Sequence, residues 1–100
     1  MMSQAGDLNA EWREVLRRVD QAEFREECNF TDALRFAAAA DAIAALPPDA
    51  PLRDINLAAY RAIAGSAAAA AARHGALADL LRTDANALHA KRKLVETETK

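Results

Sequence analysis

Alanine is the residue that most constrains this chain: it fills 27 of the 100 positions, and the larger apolar residues fill only 24. Alanine is the best helix former, but each alanine buries little area. The chain can therefore form helices readily while having few large side chains for a core. A small-molecule pocket of roughly 300–1,000 Å³ needs walls that so thin a core hardly supplies. The composition predicts that the protein is not an enzyme.

No segment carries the pattern of a β-strand. Valine and isoleucine number six, are never adjacent, and show no useful alternation with period two. Glycine and proline, three of each, are expected at the boundaries between helices. The sequence therefore predicts an all-α protein.

Capping and breaking residues predict where these helices begin and end. A first helix starts at Leu8 or Asn9 and breaks near Asp20, where Glu23 completes a capping pattern. Later boundaries are set by a threonine cap, the prolines, two glycines and a serine cap. The further predicted helices are 31–46, 51–64, 67–73 and 76–96, the last with a cap at Thr83 that interrupts it.

These boundaries predict a small single-domain bundle of about five short helices, with alanine-rich helices in the centre. The domain covers residues 1–100, and its ends, 1–7 and 97–100, are expected to fray. A lone cysteine, Cys28, fits a reducing compartment and is expected in the core, on an apolar stripe that it shares with Phe24. The N-terminus has no signal-peptide pattern, and the longest apolar run is Ala67–Ala72. We expect a cytoplasmic protein without a membrane contact.

Side chains for catalysis or metal binding are scarce. The histidines are His74 and His89, and neither stands at a spacing typical of a zinc site or a nucleophile–base pair. No glycine-rich phosphate loop is present. We expect no metal and no cofactor. An enzyme or redox protein centred on Cys28 is kept only as a weaker alternative.

Charge is distributed unevenly along the chain, although the net charge is only -2. Residues 1–32 hold eight acids and four arginines, residues 33–72 are balanced, and residues 73–100 hold six bases and four acids. Like charges three, four or seven residues apart cost a little helix stability, so an acidic face is either simply solvated or meets a basic partner. The predicted partner-binding residues are Asp20, Glu23, Glu26 and Glu27, with Arg13 and Arg17 nearby.

We therefore predict a non-enzymatic protein-interaction module that docks on a larger protein or complex with a basic surface. Its most concrete form is a small phage or mobile-element inhibitor, anti-CRISPR-like, that blocks a nucleic-acid-handling complex. Leucine pairs at seven-residue spacing near the C-terminus fit either a core or a homodimer seam. The seam residues are Leu80, Leu81, Leu88 and Leu94.

DNA binding is the alternative function. Residues 54–75 are compatible with a helix-turn-helix whose turn is at Gly65, but the second helix is alanine and offers few groups that read bases. A basic stretch near the C-terminus adds cations for phosphate contacts. The candidate nucleic-acid residues are Arg73, His74, Lys91, Arg92 and Lys93.

Overall fold

Two α-helices make up the chain in the computed structural model, which describes residues 4–98. Helix α1 spans Gln4–Ala44 and helix α2 spans Arg53–Glu98, with a connection of residues 45–52. The all-α prediction is confirmed, and the prediction of about five short helices is wrong. Of the segments expected to fray, 4–7 and 97–98 are helical, and the remaining residues lie outside the described part. Neither helix contains a stretch, within the described residues, that is long and apolar enough to cross a membrane.

The glycines that were predicted to end helices lie inside α2. Gly65 does not adopt positive φ, and the helix continues through it and through Gly75. A glycine inside a helix costs about 1 kcal/mol relative to alanine. Ending a helix there would leave several backbone amides and carbonyls without helical partners. Because the flanking residues are mostly alanine, the continuous helix is the better solution.

Residues that were predicted to cap helices lie within them instead. Thr83 Oγ1 donates a hydrogen bond to the carbonyl of Asp79 at 3.1 Å, four residues back in the same helix. Asn29, which was not predicted as a cap, makes the same kind of bond from Nδ2 to the carbonyl of Arg25 at 2.9 Å. Thr31 is exposed on α1, which continues past it. A short polar side chain can bond within a helix as well as cap one, so these positions mark no boundary.

The proline-rich connection is the one predicted break that the structure contains. Pro47, Pro48 and Pro51 all lie between the helices, and α1 ends at Ala44, two residues before the predicted end. Leu52 has a φ of 59°, in the left-handed region, and directly precedes α2. Proline lacks an amide hydrogen and disfavours helical conformation in the residue before it. This explains why α1 ends before these prolines and α2 begins after them.

Arg53 fixes the end of α1 from the first position of α2. Its Nη2 donates to the carbonyl of Ala44 at 2.8 Å, and its Nε donates to the carbonyl of Leu46 at 3.1 Å. These are carbonyls that a helix end leaves without amide partners. The guanidinium also places positive charge at the C-terminus of α1, where the helix dipole favours it.

The chain divides into two compact units, and each helix contributes to both. Unit 1 comprises Met1–Phe24 with Gly75–Lys100, and unit 2 comprises Arg25–His74. In unit 2 the buried residues are Ala33 and Ala40 of α1 and Leu57 and Ala71 of α2. Phe36 and Tyr60 meet across the helices with ring centroids 5.7 Å apart.

Unit 1 is also a pair of helical segments. Among its described residues, those that are buried are Val19 and Ala22 of α1 and Ala78 and Ala85 of α2. The contacts Asn9–Arg92 and Glu23–Arg82 show that the two segments run antiparallel.

A seven-residue repeat underlies the pairing in both units. Along α2 the positions Leu57, Ala64, Ala71, Ala78 and Ala85 are buried or half-buried, and each is seven residues from the next. Such spacing keeps one stripe of a helix facing its partner. The stripe is mostly alanine, so the helices approach closely but bury little apolar area.

Candidate interaction surfaces

Trp12 organises a polar and aromatic cluster where the helices of unit 1 meet. The guanidinium carbon of Arg92 lies 4.1 Å from the centroid of the Trp12 ring, and the ring of His89 stacks on Trp12 at 5.5 Å. Arg92 Nη1 also donates to Oδ1 of Asn9 at 3.1 Å. A guanidinium over an indole face is a favourable cation–π contact. The cluster therefore joins α1 to α2 through contacts that depend on side-chain identity.

This cluster changes the interpretation of the basic C-terminal stretch. The Arg92 side chain is only 19% exposed and lies 4.0 Å from the carboxylate of Glu96. These contacts with Trp12, Asn9 and Glu96 engage the guanidinium that the DNA-binding alternative assigns to phosphate. Lys91 and Lys93 are exposed.

The remaining nucleic-acid candidates do not form a helix-turn-helix. Arg73 is exposed and His74 is half-buried, and both belong to unit 2, whereas Lys91 and Lys93 belong to unit 1. Helix α2 continues through residues 54–75 without the turn predicted at Gly65. The geometric basis for major-groove reading through this segment is therefore absent.

The predicted acidic face is divided between ion-paired and unpaired carboxylates. Glu23 is bonded to Arg82 across the helices of unit 1, and Arg82 also bonds Asp79 at 2.7 Å. Asp20 is exposed in the same unit. Glu26 and Glu27 belong to unit 2. All four predicted acids lie on the continuous helix α1, and Glu23 already has a cation.

Glu14 forms a second cluster of charges within α1. Its carboxylate accepts hydrogen bonds from Arg17 at 2.6 Å and from Arg18 at 3.3 Å. The hydrogen bond from Arg17, aided by the charges of both arginines, lowers the pKa of Glu14 from 4.5 to about 2.

Four exposed residues define what we call the unit 1 outer face. They are spaced four, three and four residues apart, which places them on one side of α1. At its end Phe24 is 67% exposed, although it was expected on an apolar stripe facing the core. The members of this face are Arg13, Arg17, Asp20 and Phe24.

Unit 2 carries a different surface, an open apolar groove of about 820 Å³. On its α1 side Phe30 and Leu34 are 57% and 58% exposed and form a ridge. On its α2 side only alanine side chains line the groove, which leaves a trough beside the ridge. The trough residues are Ala64, Ala68, Ala71 and Ala72. Glu26 and Glu27 also line the groove.

The predicted leucine seam is divided by the seven-residue repeat. Leu81 and Leu88 are half-buried in unit 1, whereas Leu80 and Leu94 are exposed.

Cys28, expected in the core, is an exposed free thiol of unit 2. Within residues 4–98, no three histidine, cysteine or acidic side chains are grouped closely enough to hold a metal ion.

Sequence reasoning missed the exposed phenylalanines because it placed apolar residues on the inner faces of short helices. On α1 the buried or half-buried positions Val19, Glu26, Ala33 and Ala40 follow one another at seven-residue spacing. Phe24, Phe30 and Leu34 lie outside that series and are exposed. No protein-family model, curated protein or solved structure matches the chain.

Proposed function

We propose that the protein is a non-enzymatic interaction module that binds a larger protein through the unit 1 outer face. The observation that carries the proposal is Phe24, a large aromatic side chain exposed beside Asp20 and Arg17. Aromatic and arginine side chains dominate the binding energy of protein interfaces. A helix face that presents both is therefore suited to recognition.

Charge indicates the chemistry of the partner. Residues 1–32 carry a formal charge of -4, and Asp20 is exposed without an ion pair in the described structure. Glu23 contributes less because Arg82 already neutralises it. The outer face itself carries two arginines and one aspartate. The partner surface we propose therefore has an apolar pocket for Phe24, a cation that meets Asp20, and acidic groups that meet the arginines. That this partner is a nucleic-acid-handling complex, which the protein inhibits, is a further proposal that rests on charge alone.

The test is affinity capture from cells of the natural host, followed by binding measurements with the purified partner. Phe24→Ala and Asp20→Arg should each weaken binding at least tenfold, the loss expected for a central interface residue. Ile55→Ala is the matched control because Ile55 is a similarly exposed apolar side chain, at 69%, in the other unit. Circular dichroism checks that all variants are helical. Equal capture by all variants would refute the outer-face proposal.

A gel shift at low salt tests the DNA-binding alternative, because phosphate contacts are strongest there. A salt-sensitive shift that is lost on replacing Lys91 and Lys93 by alanine would favour nucleic acid over a protein partner.

A further inference from the structure

We infer that a second copy of this chain covers the apolar groove of unit 2, so that the protein is a homodimer. This inference concerns a different surface from the unit 1 outer face and commits to a different occupant. It starts from the area that the chain leaves exposed. The structure exposes 7204 Å², whereas a compact folded protein of 10.8 kDa exposes about 5,500 Å².

The surplus is larger than the area that dimer formation usually removes. It amounts to about 1,700 Å² per chain, about twice the roughly 800 Å² that a standard interface buries on each partner, so the chain has ample surface for one. The chain needs such burial because its own core is small: of its eight buried apolar residues six are alanines, and no large side chain is fully buried among the described residues. A surface that adds apolar burial therefore adds a substantial part of the stability of the fold.

The shape of the groove selects a second copy as its occupant. A two-fold interface uses the same patch on both chains, so one patch must contain both a ridge and a matching hollow. The groove has these side by side: Phe30 and Leu34 project from α1, and Ala64, Ala68 and Ala72 leave a trough on α2. A two-fold rotation places the ridge of each copy over the trough of the other.

The charges at one end of the groove are compatible with this arrangement. Glu26 and Glu27 line the groove near Ala72, and the exposed Arg73 directly follows Ala72. When ridge meets trough, the carboxylates of one copy approach the guanidinium of the other. Such rim pairs contribute little affinity, but they remove the repulsion that two acidic rims would otherwise cause.

Sedimentation equilibrium of the full chain measures the proposal directly. The wild type should sediment at twice the chain mass of 10.8 kDa. Leu34→Asp removes part of the ridge and Ala68→Phe fills the trough, and each should raise the dimer Kd at least tenfold. Both positions are exposed in the single chain, so each variant should keep its helical circular dichroism.

Leu80→Asp is the matched control because Leu80 is an exposed leucine, at 68%, of unit 1. Its dimer Kd should equal that of the wild type, as should that of Phe24→Ala, so the outer-face proposal can fail without affecting this one. A wild type that is monomeric at 100 μM, or a dimer that Leu80→Asp disrupts and Leu34→Asp does not, would overturn the inference. The second of these results would place the dimer on the predicted leucine seam.

Discussion

The two units use one seven-residue register but are held together differently. Unit 1 joins its helices through specific side-chain contacts, the Trp12 cluster and the Glu23–Arg82 pair. Unit 2 has an alanine seam with one aromatic pair, and Arg53 closes it at the connection. The comparison teaches that a seam of small residues leaves the large apolar side chains of the same helix outside, where they can contact another chain.

The largest effect should come from removing the centre of the unit 1 cluster. Trp12→Ala removes an aromatic face that both Arg92 and His89 contact, and should lower the free energy of unfolding by about 2–4 kcal/mol. Phe36→Ala, its counterpart in unit 2, should cost about half as much because it removes one aromatic contact, with Tyr60, whereas Trp12→Ala removes two. Urea denaturation followed by circular dichroism at one protein concentration compares them. If Phe36→Ala lowers the free energy of unfolding as much as Trp12→Ala or more, the two units do not differ in how they are held together.

Arg53→Ala tests how unit 2 is closed. Two carbonyls at the end of α1 lose their donor, so stability should fall by about 1–2 kcal/mol. Arg61→Ala is the control, since Arg61 is an exposed arginine of the same unit and helix, and should change stability by less than about 0.5 kcal/mol. Thermal unfolding measures both. If the two variants are equally stable, the hydrogen bonds from Arg53 to the carbonyls of Ala44 and Leu46 do not stabilise unit 2.

Gly65→Ala should stabilise unit 2. A Cβ added at Gly65 would meet nothing within 4 Å, so the gain in helix propensity, about 0.5–1 kcal/mol, should appear in full. The mirror-image control, Ala69→Gly at an exposed position of the same helix, should lose a similar amount. A turn at Gly65 predicts the opposite sign, so a lower Tm for Gly65→Ala would restore the helix-turn-helix interpretation.

The smallest effect concerns the exposed charges of unit 1. Because folding lowers the pKa of Glu14 to about 2, this carboxylate stabilises the fold above its unfolded pKa, near 4.5, and the contribution is lost as pH falls toward 2. Glu14→Gln should therefore be slightly less stable than the wild type at pH 7, and the difference should disappear near pH 2. Glu11→Gln is the control, because Glu11 is an exposed glutamate with no ion pair among residues 4–98. A difference that persists unchanged at pH 2 would contradict this account.

The sequence predicted the helical class and the proline connection because these depend on local backbone chemistry. Pro47, Pro48 and Pro51 act on their immediate neighbours, so their effect is readable from position alone. Gly65, Gly75 and Thr83 were misread because each is compatible with a helix interior when its neighbours favour helix. The surrounding alanines favour a continuous helix at these positions, and no single residue in the sequence indicates this effect.

The candidate surfaces were less predictable than the class of fold. Phe24 and Cys28 were placed inside because a short helix needs an apolar face, and only the pairing register shows that alanines occupy it. The pairing of Glu23 with Arg82 joins residues 59 positions apart, beyond the reach of local patterns. Asp20 was found from charge spacing, Arg13 and Arg17 were named as lying nearby, and all three are exposed.

The short connection also sets the order in which the helices can pair. The Arg53–Ala44 contact in unit 2 closes 9 residues of chain, whereas the Arg92–Asn9 contact in unit 1 closes 83. The entropy of closing the longer loop from an open chain is greater by about 2 kcal/mol. If pairing begins near the prolines and proceeds toward the chain ends, most of this entropy difference is avoided. Each turn of helix that pairs shortens the unpaired loop that the next contact must close. We therefore expect the contacts of the Trp12 cluster to form after those near residues 45–52.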